Sequence, residues 1–163
     1  MADSTTDPFA ANSDVDLRLP RQRGELGRAP WVVLSAISAG GVVGASARYG
    51  LGVAFPTAPY GFPWATFWIN ATGCLLIGVL MVLIAEVWAG RRLVRPFLGV
   101  GVLGGFTTFS TYMVEIQHLV YASLPGVALL YLAGTLVAAL TATWVGLATG
   151  RWAIGRRRTR EAP

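Results

Sequence analysis

Lysine is absent from this chain, cysteine and histidine occur once each, and only 13% of its 163 residues are charged. Soluble domains carry roughly 25% charged residues. Each scarcity excludes something. Cys74 has no second cysteine with which to close an intrachain disulfide, and Cys74 with His118 cannot make a Cys/His set for a transition metal. The simplest role for Cys74 is a small apolar side chain packed in a helix, which leaves the redox compartment unread. No Asp or Glu lies between Glu25 and Glu86, so the apolar runs there hold no carboxylate pair to relay protons. Neither a nucleophile–base pair nor a metal-ligand set is visible, which speaks against an enzyme.

What is present is apolar: 54% of the residues are hydrophobic and the mean hydropathy is +0.56. The charge-free runs from Arg28 to Arg48, Arg48 to Glu86 and Ile116 to Gly150 are long enough for helices of about 20 residues, the length that crosses a bilayer. They predict an all-α membrane protein with four transmembrane helices over about 31–55, 63–88, 94–121 and 125–150, punctuated by PTAPYGFP, AGRR and SLPG. Glycines four apart (Gly40 and Gly44, Gly101 and Gly105, Gly146 and Gly150) suit close helix packing in lipid.

The segment 1–29 is polar and begins acidic, unlike a secretory leader, and reads as a retained, disordered cytoplasmic tail. Residues 151–163 read as a basic cytoplasmic tail, leaving 30–150 as the transmembrane domain. With four spans, both termini and the loop holding Arg91, Arg92 and Arg95 share one side. That side collects all of the 13 basic residues except Arg48, which predicts an N-in/C-in, multi-pass protein of the cell membrane and gives no reason to expect a nucleic-acid partner.

The third span carries GGFTTFSTY (104–112) at its middle. A run apolar enough to cross a bilayer tolerates a broken helix only where it is buried in protein or lines a polar cavity. Gly104 and Gly105, followed by the β-branched Thr107 and Thr108, predict such a break, whose free carbonyls suit a cation. Phe109 and Tyr112 share one helical face and Thr108 and Thr111 form a neighbouring stripe. These side chains also have ordinary roles, since hydroxyls bond their own helix and aromatics pack. Asn70, on one face with Thr66 and Gly73, needs a partner at mid-span, and Tyr131 and Thr135 share a face of the fourth span. Hydroxyls, an amide and the positive edges of aromatic rings together suit a small anion.

GGVVGASARY (40–49), ATFWINATGCLLIG (65–78) and GGFTTFSTYMVE (104–115) resemble the first-, second- and third-helix motifs of the Fluc/CrcB fluoride channels over roughly residues 35–150. The resemblance implies a passive fluoride-selective channel that lowers cytoplasmic fluoride, built as an antiparallel dimer with two parallel pores. It implies a structural, untransported Na⁺ held by the backbone carbonyls of Gly104 and Thr107. It places Asn70, Phe109, Thr111, Tyr131 and Thr135 on the fluoride pathway, with Tyr112 standing where the family usually has a second Phe. The Tyr112 hydroxyl either donates to fluoride or narrows the pore. Arg48 either draws anions to a vestibule or snorkels to the interface, and Glu115 either bonds pore hydroxyls or holds the third helix. Thr108 and Ser110 complete the polar set.

Family members that insert both ways need nearly balanced arginine and lysine. This chain is biased twelve to one, so the expected partner is a homologous subunit of opposite orientation. A small exporter of cationic compounds would need a carboxylate in the first span, where residues 31–55 have none, and a non-conducting assembly subunit would tolerate Asn70→Ala and Phe109→Ile.

Overall fold

The structure is a computed structural model that describes residues 30–58, 61–88 and 90–161, with side-chain detail for 31–156 within those segments. It is all-helical among the described residues, and the four apolar runs become four helices or helix chains long enough to cross a membrane. The first is α1 (Pro30–Ala54) and the second α2 (Trp64–Glu86). The third is composite: a π-helical α3 (Arg95–Leu103), a short α4 (Gly104–Phe106), a break, and α5 (Ser110–Tyr121). The fourth, α6, runs Pro125–Glu161.

Local chemistry sets the boundaries. Pro30 and Pro125 open α1 and α6, where a missing N–H costs nothing because the first turn has no intrahelical acceptor for it. α5 ends in a Schellman turn. Ser123 N–H donates to the Val120 carbonyl at 3.0 Å and Leu124 N–H to the Leu119 carbonyl at 3.0 Å, with Ser123 in the left-handed region at φ 60°. Leu124 packs on the buried cluster that contains Leu119, and Pro125 then starts the next helix.

The spans pack as two pairs, α1 along α3 and α2 along α6. Glycine makes both approaches possible. A Cβ on Gly101 would stand 2.7 Å from the Ile37 carbonyl oxygen and one on Gly105 2.6 Å from that of Gly41, while Gly40 and Gly44 face the Phe97 and Val102 carbonyls. On the other pair, Gly78 and Gly146 lie against the Thr143 and Leu75 carbonyls. The third span links the pairs: α4 lies on α1, and α5, beyond the break, lies on α6.

Two features differ from the sequence reading. Gly104 and Gly105 stay helical, because Gly105 serves the contact with α1, and the chain breaks three residues later at Thr107–Phe109. The fourth helix runs on beyond the expected span 125–150, through the arginine-rich segment to Glu161. There the Arg156 guanidinium lies 3.9 Å over the Trp152 ring. The expected tail 1–29 lies outside the described residues.

Candidate functional site at the broken helix

At Thr107 the backbone turns extended (φ −76°, ψ 158°) and by Phe109 it is helical again (φ −94°, ψ −35°). A break inside a membrane leaves N–H and C=O groups that need partners. Asn70 of α2 supplies two of them. Its Oδ1 accepts from Thr108 N–H at 2.9 Å and its Nδ2 donates to the Thr108 carbonyl at 2.9 Å, so one side-chain amide pairs both polar groups of one residue. Arg48 Nε donates to the Gly105 carbonyl at 3.1 Å. Thr111 N–H donates to Thr108 Oγ1 at 3.2 Å, which pairs one of the free N–H groups in the first turn of α5. Gly73, one turn beyond Asn70, leaves room for the Thr107 methyl.

Two carbonyls lose their helical donors by this arrangement. In a continuous helix Thr108 N–H would reach the Gly104 carbonyl and Thr111 N–H the Thr107 carbonyl. The first goes to Asn70 and the second to Thr108 Oγ1. Gly104 is also exposed, on a span whose environment is otherwise apolar.

The side chains beyond the break form a second network. Glu115 accepts from Thr66 Oγ1 at 2.8 Å on one carboxylate oxygen and from the Tyr131 hydroxyl at 2.7 Å on the other. Tyr131 is fully buried. Thr108 Oγ1 donates to Thr111 Oγ1 at 3.0 Å, so the Thr111 proton is left to donate onward. Ser110 is exposed, its Oγ 3.4 Å from that of Thr108. The Tyr112 hydroxyl donates to the Leu132 carbonyl at 2.6 Å, and its ring stands edge-on to Tyr131 with centroids 5.0 Å apart. Thr135 Oγ1 is buried and finds no hydrogen-bond partner of acceptable geometry among the described residues.

Three grooves share these residues. A groove of about 290 Å³ runs past Asn70, Thr108, Phe109, Tyr112 and Thr135. Another, of about 200 Å³, is lined by Arg48, Thr66, Thr108 and Thr111. A third, of about 430 Å³, opens beside Thr57, Glu115 and His118 at the end of the molecule away from the termini. Thr108 lines the first two, and the Thr66–Glu115 bond joins the second to the third. A track of hydroxyl, amide and ring-edge groups therefore follows the third span on both sides of its break.

A family model described as CrcB-like protein, Camphor Resistance (CrcB), matches residues 35–147. The chain belongs to the CrcB family. The match contains the break, all three grooves and both glycine seams. Among curated CrcB relatives, the Fluoride-specific ion channel FluC 2 of Nocardia farcinica is 54% identical over 126 residues, covering 77% of this chain and 90% of the relative. FluC 2 of Streptomyces avermitilis is 53% identical over 124 residues, 75% and 77% of the two chains. FluC 3 of the same organism is 49% identical over 125 residues, 77% of this chain and 61% of the relative.

Of the candidate residues, Arg48, Asn70, Thr107, Thr108, Phe109, Thr111, Tyr112, Glu115 and Thr135 line the three grooves while Gly104, Ser110 and Tyr131 do not, and their chemistry divides. The Asn70 amide and the Arg48 guanidinium engage the backbone of the third span, and the hydroxyls of Tyr112 and Tyr131 are donated within the protein. Thr111, Thr135 and the exposed ring of Phe109 are the groups left facing the grooves. The sequence offered hydroxyl bonding as one of two roles for Glu115 without naming Thr66 and Tyr131 as the partners that the structure gives it. A signal was present, since Glu115 lies seven residues after Thr108 and four after Thr111, on the same helical stripe.

Proposed function

We propose that this protein is a passive, fluoride-selective channel that carries fluoride out of the cell. One observation supports it most: a groove walled by the exposed ring of Phe109 and lined by the Thr135 hydroxyl, whose one polar side-chain neighbour is the Tyr112 oxygen and which makes no hydrogen bond of good geometry. A hydroxyl so placed has a proton to offer an acceptor that arrives from outside. Fluoride, small and strongly accepting, suits a hydroxyl proton and the positive ring edge. The names of the relatives favour the same ion.

In this reading fluoride exchanges donors near Thr108, passes Thr111, and leaves beside Thr66 and Glu115 at the outer end. Phe109, Tyr112 and Thr135 line the remaining path. Tyr112 contributes its ring, because its hydroxyl is held by Leu132. Asn70 and Arg48 act by holding the break open, and a second amide proton of Asn70 remains for the groove. An interior-negative potential drives the anion outward with about 2.3 kcal/mol per charge per 100 mV, so neither ATP nor a proton site is needed.

The carbonyls of Gly104 and Thr107 fit a structural Na⁺, since both have lost their helical donors and, among the described residues, neither accepts from a side chain. Two from each of two antiparallel subunits would make a four-oxygen site. Bound there, the cation would supply positive charge to carbonyl dipoles that face one another. The exposure of Gly104 and of Phe109 (74%) at mid-span favours a second subunit against this face. The arginine bias favours N-in/C-in insertion and a homologous partner of opposite orientation, and numbered relatives coexisting in one organism are in keeping with such a pair.

Efflux of fluoride and chloride from liposomes holding the purified chain, followed by selective electrodes, tests the reading. Fast fluoride efflux with little chloride is expected, from the chain alone or after addition of an oppositely inserted homologue. Silence in both cases would move the protein to a non-conducting assembly role.

A further inference from the structure

On the side that carries the termini, a groove of about 610 Å³ lies between the first turn of α1 and the loop entering α3. It is lined by Val32, Val33, Gly90, Leu93 and Val94 together with Arg91 and Arg92. Both arginines are exposed, and neither guanidinium has a hydrogen-bond or ion-pair partner among the described residues. A tight turn holds them in place: Arg91 N–H donates to the Trp88 carbonyl at 2.9 Å and Val94 N–H to the Arg91 carbonyl at 3.2 Å. None of these residues belongs to the track around the break.

We propose that this groove binds an anionic phospholipid, with the headgroup phosphate on Arg91 and Arg92 and an acyl chain along Val32, Val33, Leu93 and Val94. Position argues for a lipid. Val32 and Leu93 stand at the points where two spans leave the interface, and Trp31 beside them is 80% exposed, as interfacial tryptophans are. Chemistry argues for a phosphate diester. Guanidinium forks bind phosphate oxygens in pairs, and an apolar wall directly below two unpaired cations matches a molecule with charge at one end and hydrocarbon at the other.

The test uses the full-length protein in nanodiscs of equimolar phosphatidylglycerol and phosphatidylcholine, extracted into detergent, with retained lipid counted by mass spectrometry. Wild type retains phosphatidylglycerol preferentially. R91Q/R92Q lowers that preference by about thirtyfold, the factor for two basic side chains beside an anionic surface. Arg95→Gln, close in sequence but outside the groove's lining, keeps it, and Val33→Trp, which fills the chain-binding wall, reduces it. An unchanged preference in R91Q/R92Q overturns the proposal, as does an equal loss in Arg95→Gln, which would mark a diffuse charge effect. Displacement of the lipid by millimolar inorganic phosphate would make this a free-anion site and also overturn it. So would retention seen only after deletion of residues 2–20, because the acidic segment would then be the occupant.

Discussion

Two hydroxyls on one groove separate stability from conduction. The Tyr112 hydroxyl is donated to Leu132, whereas that of Thr135 is buried and unpaired. Tyr112→Phe removes a made hydrogen bond and keeps the ring, so it is expected to cost about 1 kcal/mol in thermal or denaturant unfolding and to leave fluoride flux near wild type. Thr135→Val keeps shape and removes a donor that has no partner in the resting protein. Its unfolding should not be weakened, since no well-formed hydrogen bond is lost, while fluoride efflux falls about tenfold to a hundredfold, the factor for a lost hydrogen bond to a charged acceptor. A Thr135→Val protein that conducts normally would remove this hydroxyl from the pathway. The carbonyls of Gly104 and Thr107 give a third outcome at this scale: replacing Na⁺ with N-methylglucamine should lower the melting temperature, and readdition of Na⁺ should restore it.

At the scale of elements, the third span changes partner at its break, from α1 to α6, and Asn70 of α2 sits beneath the crossing. The sequence made the four spans legible, because each is bounded by arginines or proline-glycine punctuation and almost free of charge inside. It also showed that the third span would break. The position of the break was not legible, since glycine in a helix serves either to break it or to let a neighbour approach. Gly105 does the second, against the Gly41 carbonyl. The π-helical winding of Arg95–Leu103 left no periodic mark in so short an apolar run. The candidate side chains were legible as a set, but their division of labour depends on contacts such as Asn70–Thr108, 38 residues apart, and Arg48–Gly105, 57 apart. Another element-scale outcome concerns the α5–α6 turn. Ser123 holds a left-handed conformation that glycine adopts without a Cβ penalty, so Ser123→Gly should raise stability by about 0.5 to 1 kcal/mol in an unfolding titration and leave flux intact.

Among the described residues, Arg91, Arg92, Arg95, Arg151 and Arg156 lie toward one end of the bundle, and Arg48, toward the other end, is tied to the Gly105 carbonyl. Reporters fused to the C-terminus should therefore appear on the cytoplasmic side alone. Equal populations on both sides of the membrane would mean that the chain inserts both ways and can pair with itself, despite its arginine count. Tyr49, Trp64 and Tyr121 are exposed at one end of the spans and Trp31 and Trp152 at the other, which supplies an aromatic girdle at each interface.

The length of α6 has a use as a topographic marker. Helix from Arg151 to Glu161 continues past the end of the apolar stretch, a rigid post of about 16 Å at 1.5 Å per residue. Two subunits inserted in the same sense would raise two such posts on one leaflet and leave the other smooth. Two inserted in opposite senses would raise one on each. Scanning a supported bilayer by atomic force microscopy would then read the sense of pairing from height alone, without a label or a functional assay.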